Sequence, residues 1–452
     1  MNPEIFRQYD IRGVVADDLT PAVVEALGRG VGSWVRDEGG KTIVLGRDGR
    51  LTGPALRDSF VKGALASGCD VIDIGAVATP ITYFATYHLN PDASVQITGS
   101  HNPPEFNGFK MMLGKETVFG DMIQELRERI DNENFQSGEG TYSEQDVVPA
   151  YMDYLAENIH ISRPVKLALD SGNGIAGATS PDIFRKLGQD PVELFSEVDG
   201  NFPNHHPDPT VVENIQDLKK TVLEQGLEFG VGFDGDGDRI GVIDDKGNIL
   251  WGDRLLALFA RDVLKNFPGA TIIGEVKCSK ALYDDIAKHG GKPIMWRTGH
   301  SFLKGKLREE NAKLAGEMSG HMFFNDRYFG YDDATYAALR LTEIVANSDK
   351  PLSEILADLP EYPSTPEIRV DCPDAIKFKV VEKVAESYKG KYDVVDIDGV
   401  RVNYPHGWGL VRASNTQPVL VMRFEADTEE RVAEYRQDVE NAVAEARKAV
   451  EG

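Results

Sequence analysis

Lys41-Thr42-Ile43-Val44-Leu45-Gly46-Arg47-Asp48 is an apolar run of strand length that ends in a glycine and charged residues. The same layout recurs at Val165-Lys166-Leu167-Ala168-Leu169-Asp170-Ser171-Gly172 and at Thr271-Ile272-Ile273-Gly274-Glu275-Val276-Lys277. Each run reads as a buried strand feeding a loop. Each is followed by a helical pattern that stops near glycine, at Ser67-Gly68, Leu187-Gly188 and His289-Gly290-Gly291, and then by another strand. Three such βαβ units predict three related α/β domains with mixed, largely parallel sheets. Boundaries are expected near residues 147, 251 and 362, giving domains 1–147, 148–251, 252–362 and 363–452. The last falls in a linker, Leu359 to Pro366, with three prolines in seven residues. Beyond it, strands at Glu367–Asp371, Tyr392–Ile397, Gly399–Asn403, Gly409–Arg412 and Val419–Glu425 are expected. With a helical pattern from Asp374 to Tyr388 and a charged C-terminal helix from Thr428, they predict a smaller α+β domain.

Composition narrows the function classes. A chain of 452 residues is too long for one core. With 41% hydrophobic residues, no apolar run of membrane length and no basic segment leading a signal core, a soluble cytoplasmic enzyme is expected. Cys69, Cys278 and Cys372 are scattered without metal spacing and read as reduced thiols. A net charge of −24 argues against nucleic acid as a partner. It also repels anionic substrates at long range, so any phosphorylated substrate must be met by a local cluster of Arg and Lys.

Two segments carry most of the chemistry. In Thr98-Gly99-Ser100-His101-Asn102-Pro103-Pro104, a serine follows the strand-like run Ala93–Ile97. Gly99 is expected to allow a tight bend, and the prolines stop a helix from starting. The G-x-S-x-G pattern of a hydrolase serine is absent. In Asp234-Gly235-Asp236-Gly237-Asp238-Arg239, three carboxylates alternate with glycines between two apolar runs. Alternate residues of an extended backbone lie on one side, where three like charges require a cation, and hard oxygen donors in this number suit magnesium. An EF-hand loop is excluded because its sixth position would be Arg239 and its twelfth Asp245. Gly316-Glu317-Met318-Ser319-Gly320-His321 offers groups for sugar hydroxyls, and Arg412-Ala413-Ser414-Asn415-Thr416 offers a cradle for a phosphate dianion.

In this order and across most of the chain, these segments resemble the α-D-phosphohexomutase superfamily. Thr98 to Lys110 is similar to its phosphoserine loop, Asp234 to Arg239 to its metal loop, Gly316 to His321 to its sugar loop and Arg412 to Thr416 to its terminal phosphate loop. The sugar loop, Trp296–Ser301 and Phe6–Gly13 resemble the phosphomannomutase/phosphoglucomutase branch. One departure is Gly49, in a segment that reads Gly46-Arg47-Asp48-Gly49-Arg50 where the family has a GRDTR-like run.

The resemblance implies a heart-shaped, four-domain enzyme with one loop per domain facing a central cleft. It implies interconversion of hexose 1-phosphate and hexose 6-phosphate, of mannose or glucose, with a hexose 1,6-bisphosphate as intermediate and activator. Ser100 would carry the phosphoryl group, and magnesium would be held by Ser100, Asp234, Asp236 and Asp238. Lys110, Arg239 and His300 would serve catalysis, with either His300 or Lys110 as acid/base. Tyr9, Arg12, His101, Lys277, His300, Glu317, Ser319, His321, Arg412, Ser414, Asn415 and Thr416 would bind phosphosugar. No membrane and no obligate protein partner is implied. A phosphoglucosamine mutase, or a non-catalytic protein that binds phosphosugar or metal, is the alternative.

Overall fold

The expected strand at the head of each repeat forms, as Thr42–Arg47, Leu167–Asp170 and Thr271–Glu275. Each lies inside its sheet with a parallel neighbour on both sides. Thr42–Arg47 pairs with Asp70–Ala76 and Ala93–Ile97. Leu167–Asp170 pairs with Phe229–Phe233 and Val192–Leu194. Thr271–Glu275 pairs with Lys292–Trp296 and Leu314–Gly316. A central parallel strand is covered on both faces, which is why these runs are continuously apolar. Ile43, Val44 and Leu45 are all fully buried. An acid stands just at or beyond the C-terminal end of each of these strands, Asp48, Asp170 and Glu275, and all three are buried. That end of an open α/β sheet is where ligands bind.

The computed structural model describes residues 1–414 and 418–451. They form two compact units, residues 1–255 with 319–356 and residues 256–318 with 357–452. Among the described residues no helix is long and apolar enough to cross a membrane. The three cysteines are buried and unpaired with one another.

In the first unit, Phe106–Leu113 runs antiparallel to both Ala93–Ile97 and Ile11–Val14. The segment similar to the phosphoserine loop is therefore a strand–loop–strand hairpin. Its loop ends at Glu105, and Lys110 stands on the returning strand opposite Gln96. A second hairpin, Phe229–Phe233 with Ile240–Asp244, presents the acidic segment at its tip.

In the second unit the C-terminal domain is an antiparallel sheet in the order Ile368–Asp371, Val419–Ala426, Gly407–Ala413, Val400–Tyr404, Asp393–Val395. Helices Asp374–Tyr388 and Glu429–Glu451 cover one face through Val380, Val384 and Val439 packed on Leu420 and Phe424. Trp408 packs with Val276 and Leu410, and its indole N–H donates to Glu425 Oε1 at 2.8 Å. The Arg401 guanidinium lies 3.8 Å over its ring and donates to the carbonyls of Val276 at 2.6 Å and Cys278 at 2.8 Å. Arg423 takes the Lys277 carbonyl at 2.5 Å. The loop after Thr271–Glu275 is thus held from beneath by the C-terminal sheet.

Trp408→Ala deletes the side chain at the centre of this contact and leaves the guanidinium groups of Arg401 and, at 5.9 Å from the ring centroid, Arg423 without their ring. It should cost about 3–5 kcal/mol of unfolding free energy, read from the denaturant midpoint. A loss below about 1 kcal/mol would show that Trp408 is not what docks the loop.

Candidate functional site

Ser100 is 2% exposed, and it carries the bend of its loop with φ +49. The left-handed conformation therefore falls on the serine and not, as expected from sequence, on Gly99. A non-glycine residue held there costs roughly 1–3 kcal/mol, a strain found most often at functional sites. Gly99 is needed for a different reason. A Cβ at that position would stand 2.5 Å from the Cζ of Arg50, whose guanidinium is pressed against the loop backbone. Ser100 Oγ donates to Asp234 Oδ2 at 3.0 Å and lies 3.0 Å from His101 Nδ1. Burial, reinforced by the guanidinium groups of Arg239 and Arg12, pushes His101 well below its ordinary range, so its imidazole is neutral at pH 7. Arg12 in turn donates to Asn102 Oδ1 at 2.7 Å and pairs with Asp10.

Asp234, Asp236 and Asp238 are each 0% exposed. They do not converge by alternation along a strand. The hairpin tip turns, and Asp234 Oδ1 accepts from the amides of Gly237, Asp238 and Arg239 at 3.0–3.1 Å, which folds the segment into a cup. Lys110 Nζ donates to Asp236 Oδ2 at 2.7 Å and to Asp238 Oδ2 at 2.5 Å, while Thr79 Oγ1 donates to Asp236 Oδ2 at 2.5 Å. Burial opposes the Lys110 charge, yet the two carboxylates prevail and hold it well above the ordinary lysine value. Asp236 sits below the usual carboxylate range: burial resists ionisation, and the Lys110 ammonium overcomes it. Asp234 is pushed well above that range by burial and by repulsion from Asp238 and Asp236.

Asp236 Oδ1 and Asp238 Oδ1 have no hydrogen-bond partner among the described residues. The three side chains bring ligand atoms within 4.8 Å of one another. Two buried carboxylate oxygens without a hydrogen bond, an all-oxygen donor set and Ser100 beside them fit a hard divalent cation.

Around this centre, His321 Nδ1 lies 2.9 Å from Asp332 Oδ2 and 3.6 Å from Asp238 Oδ1, and Arg239 Nε donates to His321 Nε2 at 3.0 Å. Of the residues expected from sequence, this unit gathers Ser100, His101, Lys110, Arg12, Arg239, His321 and the three aspartates. Tyr9 and Ser319 are partly buried on the same unit.

The second unit gathers the others. Lys277 Nζ donates to Glu367 Oε1 at 2.7 Å, and its backbone N–H donates to Glu275 Oε2 at 2.8 Å. Glu317 Oε1 accepts the Gly299 N–H at 2.5 Å, which ties the sugar-loop segment to the start of the helix His300–Glu309. Arg412 Nε donates to Asp398 Oδ2 at 3.0 Å, and Thr298 N–H donates to the same oxygen at 2.9 Å. His300 and Ser414 are buried here. Asn415 and Thr416 lie outside the described residues.

Sequence reasoning passed over Asp48, Arg50, Thr79, Asp332 and His206. His206 Nε2 reaches the His101 carbonyl, and Asp48 and Arg50 hold the serine loop. A usable signal for Asp48 existed, because each repeat strand delivers an acid at its C-terminal end. At Gly49 a Cβ would meet Val198 Cγ1 at 2.3 Å.

A hydroxyl set against buried acids that call for a hard cation is the apparatus of phosphoryl transfer. The chain belongs to the phosphoglucomutase/phosphomannomutase family. Its models match as alpha/beta/alpha domain I over residues 3–137, domain II over 149–247, domain III over 251–362 and the C-terminal domain over 367–442. A phosphomannomutase/phosphoglucomutase of Pseudomonas aeruginosa is 47% identical over 95% of this chain and 93% of its own length. A phosphoglucomutase of Neisseria gonorrhoeae is 46% identical over 95% and 94%. The crystal structure of a phosphoglucomutase/phosphomannomutase family protein from Burkholderia thailandensis superposes with a TM-score of 0.93, at 45% identity over 98% of both chains.

Glu367 makes the second unit's ion pair testable. The Lys277 ammonium holds its carboxyl at about 2, below the ordinary 4.5. A depressed folded-state pKa contributes stability that is complete above the unfolded value and is lost as pH falls through the folded one. Glu367→Gln should therefore lower stability at neutral pH and lose less than wild type between about pH 4.5 and about pH 2, by denaturant unfolding at several pH values. Parallel curves for the two proteins would contradict the pairing.

Proposed function

We propose that the protein is a phosphohexomutase that interconverts the 1- and 6-phosphates of mannose, glucose or both, with Ser100 as the phosphoryl carrier. The observation that carries this reading is the hydrogen bond from Ser100 Oγ to Asp234 within the buried carboxylate triad. Asp234, Asp236, Asp238 and an oxygen of the phosphorylated serine are the residues suited to hold Mg²⁺. Such an ion neutralises charge that develops on a transferring phosphoryl group.

The chain's own groups do the rest. Lys110, ionised between Asp236 and Asp238, and Arg239 are cations placed to meet phosphoryl oxygens. Arg12 bonds Asn102 of the serine loop, and His101 lies beside the Ser100 hydroxyl. Neutral His101 is suited to a hydrogen bond with the hydroxyl or with an incoming phosphate. His321, oriented by Asp332 and Arg239, adds an imidazole with a carboxylate behind it, the arrangement of a proton-transfer residue, beside the alternatives Lys110 and His300. Tyr9, Lys277, Glu317, Ser319, Arg412, Ser414, Asn415 and Thr416 are assigned to the sugar and to the phosphate that is not reacting. Transfer from Ser100 to the free hydroxyl of a hexose monophosphate gives a hexose 1,6-bisphosphate. Transfer of its other phosphoryl group back to Ser100 completes the isomerisation and leaves the enzyme phosphorylated.

Wild-type protein incubated with glucose 1,6-bisphosphate should gain one phosphoryl group by intact mass and convert mannose 1-phosphate or glucose 1-phosphate to its 6-isomer. Ser100→Ala should fold, gain no phosphoryl group and lose nearly all turnover. Near-wild-type turnover by that variant would defeat the phosphoserine mechanism. Asp236→Asn removes one hard anionic donor, so activity should fall by orders of magnitude and need more added Mg²⁺. Wild-type turnover that persists in excess chelator would rule out the metal.

A further inference from the structure

We propose that Arg50 and Asp48 are positioning residues for the phosphoryl-carrying serine: together they hold the left-handed turn that aims Ser100 Oγ at Asp234. The proposal rests on the reading of Ser100 as phosphoryl carrier. Both act on Ser100 through the loop backbone and Thr98.

Arg50 is 2% exposed, and its two terminal nitrogens serve three carbonyls of the loop and that of Phe106, where the returning strand begins. Nη2 donates to Ser100 O at 2.8 Å and Asn102 O at 2.6 Å, and Nη1 donates to Pro103 O at 2.7 Å and Phe106 O at 2.9 Å. Asp48 takes the opposite polarity. Its Oδ2 accepts from Thr98 Oγ1 at 2.7 Å and from the Gly99 N–H at 3.3 Å, and its Oδ1 accepts the Arg50 N–H at 2.9 Å. Thr98 Oγ1 then accepts the Ser100 N–H at 2.8 Å. The carboxylate thus orders the loop's N–H groups, directly or through Thr98, while the guanidinium orders its carbonyls. The residue between these two sets is the one with φ +49.

Released from the clamp, Ser100 would relax to an ordinary backbone conformation, and its Cα–Cβ bond would swing away from the triad. Lysine cannot substitute, because an ammonium's three tetrahedral donors cannot serve four acceptors as the guanidinium fork does. The pair also explains why Gly99 and Gly235 lack side chains. A Cβ on the first would strike the Arg50 guanidinium carbon at 2.5 Å, and one on the second would strike Ser100 O at 2.4 Å.

The test compares wild type, Arg50→Lys, Arg50→Ala and Thr98→Val for phosphorylation of Ser100 by excess glucose 1,6-bisphosphate and for turnover of glucose 1-phosphate. Misplacement of a reacting atom by about 1 Å costs on the order of a hundredfold. Arg50→Lys and Arg50→Ala should therefore lose about a hundredfold in kcat and in the phosphorylation rate, with KM unchanged. Guanidinium ion at non-denaturing concentration should restore part of the rate to Arg50→Ala and none to Arg50→Lys, a response that a merely structural role would not give. Thr98→Val, which cuts the relay from Asp48 to the Ser100 N–H, should lower kcat with KM unchanged, and it carries the test if Arg50→Ala does not fold. Wild-type kcat in Arg50→Lys or Thr98→Val, or an Arg50→Ala that folds and is not restored by guanidinium, would overturn the proposal. If wild type itself takes up no phosphoryl group, the phosphoserine reading fails instead, and the two failures are distinguished.

Discussion

Three carboxylates within 4.8 Å of one another and out of contact with water are the constraint on which the first unit depends. Isolated, each would shift its pKa and neutralise rather than remain charged. The chain counters this with partners from separate elements: Lys110 from the strand Phe106–Leu113 and Thr79 from the start of the helix Thr79–His88 keep Asp236 ionised, and three amides of the hairpin tip donate to Asp234, whose carboxyl is still pushed up. The Lys110 and Thr79 contacts therefore tie the hairpin of the second α/β domain to elements of the first. They also leave Asp236 Oδ1 and Asp238 Oδ1 without a hydrogen bond among the described residues, which suits them to a cation. Stability and chemistry share one set of contacts, and a change to Lys110 or Asp236 is expected to be felt in both.

The scaffold was largely legible because its signals are local. Buried parallel strands are continuously apolar over their own few residues, glycines stand where helices end, and the proline-rich linker precedes a pattern of short strands that the C-terminal sheet reproduces within a few residues. The Ser100 and Asp234–Asp238 segments stood out by their residue types, and the family resemblance supplied the roles proposed for them. Their geometry was not. The aspartates converge through a turn capped by Asp234 and not by strand alternation. The left-handed residue is Ser100 and not the adjacent glycine. Lys110 acts from a strand and reaches partners 126 and 128 residues away. Arg50 binds carbonyls 50 to 56 residues ahead of it, so no window of sequence displays the contact. The family resemblance marks the stretch around Arg50, but it takes the folded loop to show which atoms it grips.

The second unit shows the same logic with a different balance of charge. Lys277 is buried between Glu367 and Glu275, and those two carboxylates, against the cost of burial, hold it well above the ordinary lysine value. Its backbone is fixed independently by Arg423 from below. A cation fixed in this way presents a charge whose position does not depend on the ligand that it meets, as electrostatic preorganisation requires. The acidic exterior of the whole chain makes such local cations necessary, since at long range the net charge of −24 favours no phosphorylated substrate.

The central claim, that the buried triad and Ser100 form one divalent-cation site, is tested most directly by equilibrium binding of Mg²⁺, followed by calorimetry on unphosphorylated and Ser100-phosphorylated protein. The account predicts one site per chain, tightened by phosphorylation and abolished in Asp238→Ala. A single site whose affinity is indifferent to phosphorylation and survives Asp238→Ala would contradict it.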